Sequence, residues 1–176
     1  PTLGDWDRDL LARLGIPTHF FPTVVQPANL IGSYETVPVF TVASHDTGSA
    51  VVAVPAETPH FAYISSGTWS LFGIETRQPI LTEAAMHANL TNEGGAFGTF
   101  RPLKMVMGLW LEQQCRQRWR EQGLDISYDL LLNEAQLEPP FTALVDPDDP
   151  SFFAPSDMPA RIAVFCAGSG QAVPQT

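Results

Sequence analysis

Phe61-Ala62-Tyr63-Ile64-Ser65-Ser66-Gly67-Thr68-Trp69-Ser70-Leu71-Phe72-Gly73-Ile74 is the stretch on which the fold class of this 176-residue chain turns. Phe61 to Ser65 and Trp69 to Ile74 are short runs rich in aromatic and β-branched residues and read as strands. Ser66-Gly67-Thr68 between them reads as a tight hairpin turn. A turn of hydroxyl residues around a glycine lets backbone N–H groups approach a phosphate closely, and Thr68 adds its hydroxyl. On pattern alone an ordinary polar turn is the plainer reading.

Toward the N-terminus, Val37 to Ala43 is a short apolar run that predicts a buried strand. Ser44-His45-Asp46-Thr47-Gly48-Ser49-Ala50 follows it, and Ser49 to Val54 continues as a helix whose first turn carries Asp46. A carboxylate after a buried strand, at a helix start, is placed to face a crevice and to take a proton from a substrate hydroxyl. His45 and Thr47 flank it with groups that hydrogen-bond a polyol. On spacing alone Asp46 is also a favoured helix cap. Before this, Asp5 to Leu14 reads as a short amphipathic helix with Leu10, Leu11 and Leu14 on one face, closed by Gly15 and stopped by Pro17. A connector with Pro22, Pro27 and Pro38 joins the two regions.

Toward the C-terminus, His87 to Thr91 predicts a strand and Asn92-Glu93-Gly94-Gly95 a turn. Arg101 to Gln122 is the clearest helical pattern, with Leu103, Val106, Met107, Trp110 and Leu111 at helical spacing, Pro102 in its first turn and Gly123 at its exit. Lys104 at its start is a candidate phosphate or substrate contact or simply a solvated side chain. Trp110 and Trp119 are expected in the core, with a nucleotide border the alternative for Trp110. Ser127 predicts the cap of a second helix running to about Leu137. After the polar loop Asp146-Pro147-Asp148-Asp149-Pro150, Ser156 or Asp157 caps a third helix with Met158, Ile162 and Phe165 on one face. The order helix, strand, helix, hairpin, strand and three helices is a mixed α/β pattern.

Composition narrows the function. Nine Lys and Arg against 19 Asp and Glu give a formal net charge of −10, which repels nucleic acid and anionic membranes. It does not oppose a nucleotide, whose phosphates are held largely by backbone N–H groups, hydroxyls and a metal ion. No apolar run is long enough to span a bilayer. Cys115 and Cys166 are too few and too far apart for a disulfide scaffold or a zinc site, and they read as reduced cytosolic thiols. Asn89-Leu90-Thr91 is read as a chance glycosylation triplet, and His19, His60 and His87 receive no role. The chain holds no Gly-x-x-x-x-Gly-Lys-Ser/Thr, Gly-x-Gly-x-x-Gly, Gly-x-Ser-x-Gly or His-Glu-x-x-His motif, so the corresponding nucleotide-binding, hydrolase and zinc-protease classes are set aside. The chain starts without Met or a signal pattern, and the crossover expected after Gly170 is missing. Both suggest a fragment.

Five segments, in order, resemble the rhamnulokinase group of the FGGY family of carbohydrate kinases. They are Gly4-Asp5-Trp6-Asp7, Ala43-Ser44-His45-Asp46-Thr47, Tyr63-Ile64-Ser65-Ser66-Gly67-Thr68-Trp69-Ser70, Asn89-Leu90-Thr91-Asn92-Glu93-Gly94-Gly95 and Met107-Gly108-Leu109-Trp110-Leu111. Pro147-Asp148-Asp149-Pro150 and Met158-Pro159-Ala160-Arg161-Ile162 extend the likeness to nearly the whole chain. The resemblance implies two domains of the ribonuclease H-like, actin-like ATPase fold, present only in part. Residues 1–54 would close the first domain and 55–176 open the second.

The resemblance also implies roles. Asp46 would be the catalytic base toward the 1-hydroxyl of L-rhamnulose, and His45, Asp46 and Thr47 would contact the sugar. Gly67 and Thr68 would form a phosphate-binding hairpin, with Gln113 beside the nucleotide. The cofactors would be ATP and Mg²⁺, with no metal ligand from this chain. The location would be cytoplasmic, with no nucleic-acid or membrane partner and with self-association through surface that missing elements leave bare. Met105 departs from the pattern, standing where these kinases usually carry an Asn that contacts the sugar. It makes no good hydrogen bond, at a cost of roughly 0.5–1.5 kcal/mol, which opens the alternative of another ketose. A non-catalytic folded module is the reading of a different class.

Overall fold

The computed structural model describes residues 1–43, 45–154 and 156–174. The chain forms two compact units, Pro1–Ser65 with Leu71–Met105, and Ser66–Ser70 with Val106–Thr176.

The first unit begins with α1 (Arg8–Arg13), started by Asp7, whose side chain accepts from the Leu10 N–H at 2.9 Å. This is a side-chain cap on one of the N–H groups that a helix leaves unpaired. Gly15 follows at φ +69°, the left-handed turn that glycine tolerates. β1 (Leu30–Tyr34) and β2 (Val37–Phe40) then form an antiparallel hairpin with no buried residue. The expected buried strand over Val37 to Ala43 is therefore a shorter, exposed hairpin arm, and the proline-rich connector contains a strand. Apolar content marks extended backbone here, but nothing among the described residues covers it.

α2 (Asp46–Val52) is a short helix capped by His45 and sunk on its Gly48 and Val51 side. β3 (Ala62–Ser66) and β4 (Trp69–Ile74) are the expected hairpin, with Tyr63 and Leu71 buried. α3 (Glu83–His87), β5 (Thr91–Gly94) and β6 (Phe100–Met107) complete the sheet, which runs β3-β4-β6-β5.

Three expectations fail here. His87 closes a helix started by Thr82 rather than opening a strand, and Asn92-Glu93-Gly94 is β5 rather than a turn. The long helix expected from Arg101 is a strand to Met107 and a helix only from Trp110. Leu103 and Met107 satisfy a period of two as well as a helical one, because four is common to both. Pro102, taken for a helix start, lies in register with Asn92 of β5.

The second unit carries α4 (Trp110–Glu121), α5 (Tyr128–Leu137), a 3-10 turn over Pro150–Phe152 and α6 (Met158–Gly168). Ser127 caps α5 and Asp157 caps α6, as their positions predict. Met107, Cys115, Phe152 and Met158 form its core, with Trp110, Trp119, Ile162 and Phe165 packed against them. Phe152 and Met158 are fully buried. Trp110 also donates its indole N–H to the Phe152 carbonyl at 3.1 Å. Pro155 lies outside the described residues. Among the described residues no helix is long and apolar enough to cross a membrane.

Candidate functional site

In the first unit, the start of α2 concentrates the polar groups. His45 is extended (φ −130°, ψ 144°), as a cap residue should be. Its Nδ1 accepts from the Thr47 N–H at 3.3 Å and lies 2.5 Å from Thr47 Oγ1. The same N–H of Thr47 donates to Asp46 Oδ1 at 2.8 Å, and that oxygen is 3.0 Å from His45 Nδ1. The Asp46 side chain is 90% exposed, so its carboxylate is open to an approaching hydroxyl. Ser44 lies outside the described residues.

Beneath this turn runs a side chain to which the sequence alone gives no role. Arg101, on β6, is 1% exposed. Its Nη2 donates to Glu93 Oε2 at 2.7 Å, its Nε to the Gly94 carbonyl at 3.3 Å and its Nη1 to Thr47 Oγ1 at 3.4 Å. A buried guanidinium is tolerated only when paired and hydrogen-bonded, and these three partners meet that need. Gly48 is small for the same reason, since a Cβ there would meet the Ala43 carbonyl at 2.8 Å and Arg101 Nη2 at 2.9 Å. Glu93 and Arg101 are cross-strand partners in register. The signal was legible only to a reader who took Glu93 through Arg101 as a hairpin. Tyr63 lies near the same charge. Its hydroxyl is buried and has no hydrogen-bond partner among the described residues, and burial raises its pKa while Arg101 pulls the other way.

A cavity of about 600 Å³ opens beside these groups. Trp6, Val24, Val25 and Pro27 give it an apolar wall, and His45 and Arg101 a polar one. Trp6 is held by stacking on Phe21 (centroids 4.5 Å apart) and by donating its indole N–H to the Pro22 carbonyl at 2.8 Å. One apolar face and one face of fixed donors and acceptors suit a small polyhydroxylated ligand. Asp46 and Thr47 adjoin His45 in sequence but are not among the lining residues. Asn92 spends its amide on the Ile80 backbone, at 2.8 and 2.9 Å.

In the second unit, the Ser66–Ser70 turn meets the start of α4. Leu109, the N-cap of α4, supplies no side-chain hydrogen bond. The turn supplies the missing acceptors. Gly108 N–H and Trp110 N–H both donate to the Thr68 carbonyl at 3.1 Å, and Leu109 N–H donates to the Gly67 carbonyl at 2.9 Å. The unpaired N–H groups of a helix start are thus satisfied by main-chain oxygens. Thr68 Oγ1 donates to Gln113 Oε1 at 3.3 Å, so two of the expected nucleotide contacts are brought together. A Cβ at Gly67 would meet only the Trp69 carbonyl, at 3.3 Å, so the turn backbone is approachable, as a phosphate contact requires. Among the described residues no three His, Cys, Asp or Glu converge to hold a metal ion.

Two further expected residues lie on β6. Met105 is on β6, half exposed, and not at a helix start. Lys104 is likewise a strand residue. Gln113 is on α4, as expected.

The model of the FGGY family of carbohydrate kinases, C-terminal domain, matches residues 62–176. Among curated proteins, the rhamnulokinase of Bacteroides thetaiotaomicron is 44% identical over 96% of this chain and 36% of its own length. That of Mannheimia succiniciproducens is 41% identical over 99% of this chain and 36% of its own. The chain therefore spans about a third of the length of these relatives. Among solved structures, xylulose kinase from Lactobacillus acidophilus superposes with a TM-score of 0.56 at 18% identity, over 76% of this chain and 28% of its own. Xylulose kinase from Rhodospirillum rubrum gives 0.54 at 17%, over 77% and 28%. The fold is accordingly the actin-like ATPase fold of these kinases, present here as a partial domain.

Proposed function

This chain belongs to the FGGY family of carbohydrate kinases, and from that premise we propose that the protein carrying it transfers the γ-phosphoryl group of ATP to the 1-hydroxyl of L-rhamnulose. The observation that carries the reading is the likeness, at 41–44% identity over nearly the whole chain, to two rhamnulokinases. The chemistry of the His45–Thr47 turn is compatible with it.

In this reading Asp46 takes the proton from the attacking hydroxyl, while His45 and Thr47 hold neighbouring sugar oxygens. The turn at Gly67 and Thr68, with Gln113, holds phosphate oxygens. Phosphoryl transfer asks for positioning and electrostatic stabilisation more than covalent chemistry, and Mg²⁺ supplies neutralisation of phosphate charge when bound. Residues 1–54 close the first kinase domain and 55–176 open the second. The activity resides in the longer protein, the 176-residue chain alone being inactive. The compartment is the cytoplasm, and exposed apolar surface such as the β1–β2 hairpin gives the isolated chain a route to self-association.

The test is ADP release with ATP, Mg²⁺ and L-rhamnulose, using the full-length protein and its Asp46→Asn variant. General-base catalysis contributes about 10²–10⁴-fold, so kcat should fall by that factor with sugar affinity nearly intact. Retained turnover in the variant removes Asp46 from the base role. A second reading, another ketose as acceptor, is favoured by one observation, Met105. Turnover of a different ketose with none of L-rhamnulose would establish it.

A further inference from the structure

We propose that Glu93 is a substrate-binding residue, whose second carboxylate oxygen accepts a hydrogen bond from a sugar hydroxyl in the cavity beside His45. The β5–β6 hairpin brings four polar side chains to that cavity, Asn92, Glu93, Thr99 and Arg101. Three of them are committed elsewhere. The Asn92 amide is held by the Ile80 backbone. The Thr99 hydroxyl is held by Glu75 and the Ala96 carbonyl. Arg101 is 1% exposed and donates to Glu93, Gly94 and Thr47. Glu93 differs. A carboxylate can take an arginine with both oxygens, but Arg101 Nη2 meets Oε2 alone, at 2.7 Å. Oε1 has no hydrogen bond among the described residues, and the Glu93 side chain is 31% exposed.

Both walls of the cavity are fixed before a ligand arrives. Arg101 stands in register across from Glu93 and is itself held by the Gly94 carbonyl, so the carboxylate is anchored. Such pre-organisation removes part of the ordering cost of binding. Trp6, on the apolar wall, has its indole N–H engaged by the Pro22 carbonyl and offers the cavity only its ring. A molecule that enters strips water from Glu93 Oε1, which is costly unless the molecule brings a donor. A carboxylate oxygen only accepts, so that donor is a hydroxyl, and an acidic sugar would meet like charge. The ligand class that answers both walls is a small neutral polyol with an apolar edge. Taking that polyol to be the ketose acceptor rests on the function proposed above.

Calorimetric titration and steady-state kinetics of the full-length protein test the assignment, with L-rhamnulose and its analogues lacking the 3-, 4- or 5-hydroxyl. Glu93→Gln keeps an oxygen for Arg101 and puts a donor in place of Oε1. It should raise the L-rhamnulose Kd and KM by roughly ten- to a hundredfold, the worth of a hydrogen bond to a charged group, with kcat nearly unchanged. One analogue should lose a similar factor on the unmodified protein and no further factor on Glu93→Gln, because both changes remove the same bond. A Glu93 that only neutralises Arg101 gives another pattern, in which stability and kcat fall and every hydroxyl deletion costs the same in variant and unmodified protein. That pattern, or an unchanged Kd in a folded Glu93→Gln, overturns the proposal. Should Glu93→Gln not fold, Glu93→Asp, which keeps the charge and draws it back by one methylene, is read by the same comparison. Three analogues that all bind the unmodified protein as tightly as L-rhamnulose overturn the proposal without any variant. A full-length protein that phosphorylates no ketose defeats the functional reading and this proposal together, whereas L-rhamnulose turnover with Glu93 uncoupled from every hydroxyl defeats this proposal alone.

Discussion

Gly108→Ala tests whether the Ser66–Ser70 turn is held by the start of α4. The backbone does not object, because Gly108 lies outside the left-handed region. Space does. The new Cβ would sit 2.7 Å from the Gly67 carbonyl oxygen and 3.0 Å from the Ser70 nitrogen, and would press on Ser70 Oγ. Carbon contacts are comfortable at about 3.5 Å, so turn and helix must separate by several tenths of an ångström. A serine side chain can rotate away, but the Gly67 carbonyl cannot, since it holds Leu109 N–H. Opening the gap strains the three hydrogen bonds from residues 108–110, each worth about 0.5–1.5 kcal/mol. Overpacking of this kind costs about 1–3 kcal/mol, and the entropy gained by replacing glycine returns about 0.4–1 kcal/mol. The net expectation is a loss of about 1–2 kcal/mol, read as a lowered urea midpoint with unchanged slope. Ser70→Ala in the same background should recover only part, because the carbonyl contact persists. In the full-length protein ATP affinity should weaken while sugar affinity holds. A Gly108→Ala chain as stable as wild type would refute the clamp.

Three further outcomes are expected. Tyr63→Phe removes a buried hydroxyl with no partner in full hydrogen-bond geometry among the described residues, though Arg101 lies close enough to lower its pKa, so thermal denaturation should show it neutral or up to about 1 kcal/mol more stable, and a loss above that size would reveal a working bond to Arg101. Burial, helped by Glu112 and Asp157, raises the Cys115 pKa from 9.0 to about 11. The folded state therefore keeps a proton that the unfolded chain releases, so the contribution is intact below pH 9 and stability declines as pH rises toward 11. The decline is up to about 1.4 kcal/mol per pH unit and should be shallower in Cys115→Ala. Met105→Asn in the full-length protein should lower the L-rhamnulose KM by roughly two- to tenfold, one hydrogen bond's worth. An unchanged KM would show that position 105 does not face the sugar.

What the sequence made legible follows from how local each signal is. The caps at Ser127 and Asp157 were readable because a cap depends on residues within one turn. The Ser-Gly-Thr turn was readable because flanking strands of matched character bracket it. Phe100–Met107 was misread because its apolar positions fit two periods and Pro102 is a familiar helix opener. The pairing that settles the matter comes from β5, whose polar Asn-Glu-Gly sequence looks like a turn and carries little strand propensity. The same error hid Arg101, since a buried charge is recognisable only once Glu93 is known to lie opposite it. His45 and Asp46 were found at the expected helix start, but the buried guanidinium that meets Thr47 comes from a residue 54 positions away.

The bare β1–β2 hairpin has a consequence for amide exchange with deuterated solvent. Leu30, Ile31, Tyr34, Val37 and Phe40 are each more than half exposed, so almost no apolar burial opposes opening of this element. A lone two-stranded ribbon is marginal in water, and its amide protons should exchange by local opening at small free-energy cost. Those of α6, which carries the fully buried Met158 and Cys166, should wait for the whole unit to unfold. The contrast gives a gauge of cover. If residues 30–40 exchange fast in this chain and slowly in the longer protein, the difference, read amide by amide, maps the surface that lies over them.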